Sequence, residues 1–266
     1  MRSKTHKYSI TPKLLVICAL FLFSLLLLVT RSPASTSACN KLPASLAQAL
    51  LHYATSKITP QQTKQEISVS LRVLENKSPC NFLVFGLGHD SLLWTALNHG
   101  GRTVFLEEDK YWIQNMAKQQ PSLESHHVVY NTTVSDADRL MEAGMREECR
   151  VVGDPRVSKC KLVLSGLPTE VYETEWDLIM VDAPTGYHDR APGRMNAIYT
   201  AGLMARNRNP NRNTQTHVFV HDVDRAVEDK FSKAFLCQAY LTEQEGRLRH
   251  FTIPSHRNLP GKPFCP

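Results

Sequence analysis

The residues that could carry chemistry follow two short apolar runs in the second half of the chain. Asp182 follows DLIMV, and His221 and Asp222 follow HVFV. If both runs are parallel strands, their carboxyl ends meet at one edge of the sheet, so these side chains should lie close together. Carboxylates and imidazoles take protons from hydroxyl groups. We therefore predict that Asp182, His221 and Asp222 are catalytic.

Two other interpretations of the same residues stay open at this point. Either aspartate fits the N-cap of a following helix, where a carboxylate accepts backbone N–H groups. Asp182 and Asp222 could also hold a divalent metal ion, since hard cations favour carboxylate oxygens.

A glycine loop and an acidic residue follow two earlier apolar runs. Gly86 and Gly88 come after NFLVF, and Glu107 ends the next run at the spacing typical of a ribose-binding acid. Glu108 and Asp109 compete with Glu107 for this role. The dinucleotide fingerprint needs a third glycine, but Ser91 stands there. This departure argues against a nicotinamide cofactor, whereas a methyl donor has no pyrophosphate and needs fewer glycines.

Arginines follow the candidate catalytic residues. Arg190 and Arg194 lie in DAPTGYHDRAPGR, directly after Asp182, and Arg225 follows Asp222. The planar guanidinium binds carboxylates in a two-point fashion, as a uronic acid would require. We predict that these three arginines bind substrate. The net charge of +6 also fits an acidic partner, and the absence of zinc-finger spacing or an aromatic RNA-binding motif argues against nucleic acid.

Short apolar runs alternate with helical patterns, which predicts an α/β fold with a parallel sheet covered on both faces. A helical region at 43–75, interrupted at Thr59-Pro60, precedes the sheet. A late antiparallel strand is predicted at 247–253. The other predicted strands are 81–85, 103–106, 126–130, 177–181 and 217–220, and the other predicted helices are 91–97, 111–118, 195–206 and 227–237.

The N-terminus predicts a membrane anchor. Positive residues precede an uncharged run at 14–30, near the lower length limit for a span of about 20 residues. The flanking charges place 1–13 in the cytosol. Residues 31–42 then form a stem, and 43–266 form the lumenal domain. A cleaved signal peptide, with small residues at 35–38, is the alternative.

Six cysteines follow the anchor segment, an even number that suits an oxidising compartment. Cys149 and Cys160 bracket a loop with Gly and Pro at its turn, so we predict a disulfide between them. The pairing of the other cysteines cannot be deduced.

Several long strings resemble one known family. They are CNFLVFGLGHDSLLWTALNHGGRTVFLEED, WDLIMVDAPTGYHDRAPGRMNAIYTAGLMARNR, HVFVHDVDR and EGRLRHFTIPSHR. They resemble the plant glucuronoxylan 4-O-methyltransferases from Cys80 onward. The resemblance implies a Rossmann-like class I methyltransferase sheet behind a single-pass type II Golgi anchor. It implies methyl transfer from S-adenosylmethionine to the 4-hydroxyl of glucuronic acid on xylan, in secondary wall synthesis.

The resemblance also assigns site residues. Gly86, Gly88 and Asp90 match the cofactor loop, and Glu107 matches the ribose-binding acid. It implies the Golgi membrane and other xylan-synthesis enzymes as partners. Methylation of glucuronic acid on arabinogalactan stays open, as does a non-catalytic scaffold for xylan synthesis. The intact glycine loop and Glu107 favour catalysis over the scaffold and over a basic polysaccharide-binding module.

Overall fold

The computed structural model describes residues 13, 20, 21, 42–210, 215–257, 259 and 262–266. The larger of its two compact units runs from Pro43 to Pro266. The predicted tail, anchor and stem (1–13, 14–30 and 31–42) lie outside the described residues, apart from four isolated positions. In the described part of the chain, no helix is both long and apolar enough to cross a membrane.

A mixed β-sheet forms the centre of the larger unit. Its described strands are β1 (Asn81–Phe85), β2 (Arg102–Glu107), β3 (Glu124–His127), β4 (Leu178–Val181), β5 (Gln215–Val220), β6 (Leu241–Glu245) and β7 (Leu248–Pro254). Their spatial order is β3-β2-β1-β4-β5-β7-β6. The first five strands are mutually parallel, and β7 runs antiparallel to β5 and β6. Strand order reverses between β1 and β4, which creates a crevice at their carboxyl ends.

Helices cover both faces of the sheet. The helices are α1 (Ala44–Thr55), α2 (Lys64–Lys77), α3 (Ser91–Leu97), α4 (Lys110–Gln119), α5 (Ala137–Gly144), α6 (Thr169–Glu173), α7 (Met195–Asn207) and α8 (Ala226–Phe231). Helices α2, α3 and α4 pack residues such as Leu74, Trp94 and Met116 against one face. Helix α7 and the segment after α8 pack against the other.

The strands are buried because their apolar residues alternate between these two layers. In β1, Phe82 and Val84 belong to one apolar cluster, and Leu83 and Phe85 belong to the other. All four are 3% exposed or less. This confirms the predicted Rossmann-like α/β fold with helices on both faces.

The third strand was predicted wrongly at 126–130. It begins and ends earlier, at Glu124–His127. Among the described strands it pairs with β2 alone, at the edge of the sheet, and their register ends where Glu107 faces His127. An edge strand tolerates polar residues, so the apolar run HHVVY did not mark it. Val128 instead leaves the strand and enters the core at 2% exposure.

The C-terminal part of the sheet was predicted only in part. The antiparallel strand β7 is confirmed. Strand β6 was missed, because LTEQE is polar and lies largely exposed at the other edge. The predicted helix at 227–237 exists as α8 followed by a π-helical turn over Ser232–Cys237.

Two disulfides are present among the described residues. The predicted Cys149–Cys160 bond is confirmed, and a second joins Cys237 to Cys265. Cys80 is free and buried. Cys39 lies outside the described residues.

Candidate active site

A cavity of about 440 Å³ lies at the carboxyl ends of β1 and β4. Its walls come from the loops after β1, β2 and β4 and from the segment between α1 and α2. Gly86 has a φ of +118°, which favours glycine, and a Cβ there would lie 3.1 Å from the Cβ of Ala183. A Cβ on Gly88 would lie 2.6 Å from Oδ1 of Asp90. Both glycines thus let the first loop pack tightly along the cavity wall.

Glu107 ties the end of β2 to this glycine loop. Its Oε2 accepts the backbone N–H of Leu87 at 3.0 Å, and its Oε1 accepts those of Glu108 and Asp109 at 3.0 Å each. A carboxylate offers about four lone-pair positions, so Glu107 keeps capacity for a ligand hydroxyl. Glu107 lines the cavity, and its contact with a ribose stays a prediction.

The two acids after Glu107 have different surroundings. Asp109 caps α4, because its side chain accepts the N–H groups of Tyr111 and Trp112. Glu108 also lines the cavity, and its Oε1 lies 3.4 Å from the Thr185 nitrogen. Burial raises the pKa of Glu108. Its Oε2 is buried with no hydrogen-bond partner in the described chain.

Asp90 is a cavity residue with perturbed acidity. Its Oδ2 accepts a hydrogen bond from Nε1 of Trp94 at 3.0 Å. Burial, together with the negative charge of Asp182, raises the pKa of Asp90 to about 6. Near neutral pH this carboxylate is ionised and needs a positive partner, which a ligand ammonium group would supply.

Asp182 faces the cavity and is held from two sides. Its Oδ1 lies 2.9 Å from Nδ1 of His221, and its Oδ2 accepts a hydrogen bond from Nε2 of Gln62 at 3.0 Å. Burial acts to raise its pKa, but the His221 hydrogen bond and the Arg194 charge outweigh burial and lower it. Asp182 is therefore an ionised, oriented hydrogen-bond acceptor at the cavity wall.

His221 lies behind Asp182 instead of facing the cavity. Its side chain is 1% exposed, and its Nε2 lies 3.8 Å from Oε2 of the buried Glu66. Within the described residues, this nitrogen has no hydrogen-bond partner. The geometry suits an imidazole that orients Asp182 through its Nδ1–H.

Asp222 is surrounded by guanidinium groups. Its Oδ2 lies 2.8 Å from Nη2 of Arg194 and 2.9 Å from Nη2 of Arg225, and its Oδ1 lies 2.6 Å from Nη1 of Arg247. The backbone of Asp222 adopts a φ of 61°, which is uncommon outside glycine. These ion pairs hold the carboxylate in place despite the unusual backbone.

The prediction that Asp182, His221 and Asp222 lie together is confirmed. Each offers a ligand atom, and these atoms lie within 4.8 Å of one another. Arg194 stands between the two carboxylates, with its Nη2 also 3.3 Å from Oδ1 of Asp182.

The three predicted substrate arginines have different environments. Arg194 is 4% exposed, and its guanidinium donates to the carbonyl oxygens of Pro184, His221 and Asp182. Arg225 is 28% exposed beside Asp222. Arg190 is exposed in the loop after β4. Arg225 and Arg190 thus reach solvent, whereas Arg194 braces the strand ends.

Gln62 was missed in the sequence because it precedes the sheet in a region predicted as mostly helical. It is 3% exposed and lies between α1 and α2. A signal for its position existed: Thr63 and Glu66 form a capping box that begins α2. Gln62 is therefore the last loop residue before that cap, where the chain passes over the cavity.

The strand order, the glycine loop after β1 and the acid that ends β2 define a Rossmann-like α/β protein with its ligand cavity at the switch point of the sheet. The particular family follows from comparison with known proteins. The chain belongs to the IRX15/IRX15L/GXM family, whose profile matches residues 65–251.

Named relatives in Arabidopsis thaliana are similar over most of their lengths. Glucuronoxylan 4-O-methyltransferase 1 is 65% identical over 89% of this chain and 85% of its own length. Glucuronoxylan 4-O-methyltransferase 2 is 57% identical over 100% of this chain and 98% of its own length. Arabinogalactan O-methyltransferase 2 is 52% identical over 82% and 77%.

Proposed function

We propose that this protein transfers the methyl group of S-adenosylmethionine to the 4-hydroxyl of glucuronic acid on glucuronoxylan. The observation that carries the proposal is Asp182, an oriented carboxylate in the wall of a cavity with a glycine loop and a ribose-type acid. The names of the relatives support the reaction and the acceptor.

Three features of the cavity would contact the methyl donor. Gly86 and Gly88 allow close backbone approach, Glu107 accepts a hydrogen bond from a ribose hydroxyl, and Asp90 accepts hydrogen bonds from the ammonium group of the methionyl part. Asp182 lines the same cavity at the carboxyl end of β4, so the donor and the proton acceptor would share one site.

The chemistry at Asp182 is a displacement at carbon. As the acceptor oxygen forms its bond to the methyl carbon, the carbon–sulfur bond breaks and S-adenosylhomocysteine is released as the leaving group. The hydroxyl proton passes to Asp182. His221 and Gln62 fix the orientation of the Asp182 carboxylate, and positioning of this kind supplies much of the rate enhancement in such a displacement. The lowered pKa of Asp182 keeps it ionised, so it carries no proton of its own before the acceptor binds.

A metal-assisted version is the second candidate. Asp182, His221 and Asp222 offer oxygen and imidazole ligands that suit a divalent ion. Such an ion would polarise the acceptor hydroxyl, but Arg194 would have to leave its place between the carboxylates. Activity that survives exhaustive chelation supports the side-chain mechanism. Loss of activity that Mn²⁺, Co²⁺ or Mg²⁺ restores supports the metal.

The acceptor is tested by incubating full-length protein and labelled S-adenosylmethionine with each of three polymers in turn. These are glucuronoxylan, arabinogalactan carrying glucuronic acid, and xylan without uronic acid. We expect label in glucuronoxylan alone. Label in arabinogalactan alone would reassign the acceptor. No transfer and no donor binding by a folded protein would support the scaffold in complexes with other xylan-synthesis enzymes.

The proposal includes residence in the Golgi membrane, with 14–30 as a signal anchor and 43–266 in the lumen. The uncharged run and its positive flank support this, as do two disulfides, which persist in oxidising compartments. Protease added to intact Golgi vesicles should leave the lumenal part uncut. Digestion of residues 43–266 without detergent would show that this part faces the cytosol, contrary to the proposal.

Glu107→Gln should weaken binding of S-adenosylhomocysteine by about 1.5–3 kcal/mol, the range for a lost hydrogen bond to a charged group. Titration calorimetry measures this change, with Glu108→Gln as the comparison in the same cavity. Unchanged affinity in Glu107→Gln, with the loss in Glu108→Gln, would move the ribose contact to Glu108.

Donor binding should depend on pH through Asp90. Its pKa is raised to about 6, so the carboxylate is ionised above that pH and becomes neutral below it. Affinity for S-adenosylhomocysteine should therefore fall as pH drops through 6, by about tenfold at one pH unit below. Calorimetry from pH 5 to 8 measures the profile. Asp90→Asn should bind weakly at every pH, and a variant that keeps the wild-type profile would remove Asp90 from the site.

A further inference from the structure

Two partly exposed arginines share one buried carboxylate beside the proposed active site. Arg225 comes from the start of α8, and Arg247 comes from the turn between β6 and β7. They approach opposite oxygens of Asp222, whose side chain is only 4% exposed, at 2.9 and 2.6 Å. One fixed anion therefore holds two cations from distant parts of the sequence at one place.

These two guanidiniums make fewer contacts than the guanidinium of Arg194. A guanidinium carries five N–H donors. In the described chain, Arg225 contacts Asp222, and Arg247 contacts Asp222 and the carbonyl oxygen of Gln61. Their side chains are 28% and 39% exposed. Both side chains are therefore partly accessible to a ligand from solvent.

The pair is connected to Asp182, the proposed proton acceptor, through the side chains of Asp222 and His221. Oδ1 of Asp222 is 3.7 Å from Nδ1 of His221, which in turn holds Asp182. On one side, Gln61 links Arg247 to the cavity wall. On the other, a Cβ on Gly186 would lie 3.4 Å from Nη1 of Arg225, so the loop after β4 passes directly beside it.

We propose that Arg225 and Arg247, held together by Asp222, form a clamp for the carboxylate of the acceptor uronic acid. The inference rests on the proposed function and names its specificity site. In glucuronic acid the carboxyl group is attached to the ring carbon next to the one that bears the 4-hydroxyl. A clamp beside Asp182 thus places that hydroxyl at the carboxylate that takes its proton, and it discriminates against neutral sugars.

The matched acceptors are a xylo-oligosaccharide with a glucuronic acid branch and the same molecule with its carboxyl group reduced to an alcohol. Calorimetry measures their binding to full-length protein saturated with S-adenosylhomocysteine. Arg247→Gln and Arg225→Gln should each weaken binding of the acidic oligosaccharide about tenfold or more, as for a lost charge-assisted hydrogen bond. Binding of the reduced oligosaccharide should not change.

The control variant is Arg257→Gln. Arg257 is 48% exposed and lies 3.8 Å from Glu175. This pair lies near the amino ends of the parallel strands, away from the cavity, so both acceptors should bind as in wild type. Arg247→Lys should restore part of the affinity, because charge returns without the fork. Equal loss for both acceptors, or none for either, in the Arg247 and Arg225 variants would overturn the clamp alone. Wild-type protein that binds neither acceptor and transfers no methyl group would overturn the proposed function as well.

Discussion

Asp182→Asn should lower kcat by about 10²–10³-fold, within the range for loss of a general base. Asparagine keeps the shape and can still accept the hydrogen bond from Nδ1 of His221, but it cannot accept a proton from the acceptor hydroxyl. Steady-state kinetics with glucuronoxylan measures the change, and calorimetry should find donor affinity almost unchanged.

The matched control for Asp182→Asn is Asp224→Asn. Asp224 follows β5 at the same edge of the sheet and is exposed, so its variant should keep wild-type turnover. If Asp182→Asn also keeps turnover, another group takes the proton, and Glu108, with its raised pKa and place in the cavity wall, becomes the next candidate.

The second large effect is on stability. Arg194→Met should lower the free energy of unfolding by about 3–5 kcal/mol, the range for removing one partner of a buried ion pair. Methionine fills much of the space, but it removes one of the positive charges that pair with the Asp222 carboxylate. It also leaves three carbonyl oxygens without their hydrogen-bond donor. Urea unfolding followed by tryptophan fluorescence measures the loss.

Arg139→Met provides the comparison for Arg194→Met. Arg139 is 70% exposed in an ion pair with Asp136, and pairs of that kind contribute about 0–1 kcal/mol. An Arg194→Met protein as stable as the Arg139→Met protein would contradict this role for Arg194.

The sequence predicted those features that depend on local pattern. Strand β1 and helix α3 have the predicted bounds. The apolar run NFLVF marks the strand, and the glycine turn after it separates the end of β1 from the start of α3. The proximity of Asp182 to Asp222 followed from one general rule, that parallel strands align their carboxyl ends.

The features that were missed depend on contacts between distant segments. Gln62 reaches Asp182 from before the sheet, and Arg247 reaches Asp222 from a late turn. No local spacing encodes such meetings. The edge strands β3 and β6 were misplaced or missed for a related reason: pairing on one side only places no strong demand for apolar residues on them.

The most direct test of the central claim is the position of the transferred methyl group. Full-length protein is incubated with glucuronoxylan and S-adenosylmethionine that carries ¹³C in its methyl group, and the polymer is examined by NMR. We predict a new O-methyl carbon correlated to carbon 4 of glucuronic acid, and its loss in Asp182→Asn. A methyl group on another sugar or position, or equal product from Asp182→Asn, would contradict the account.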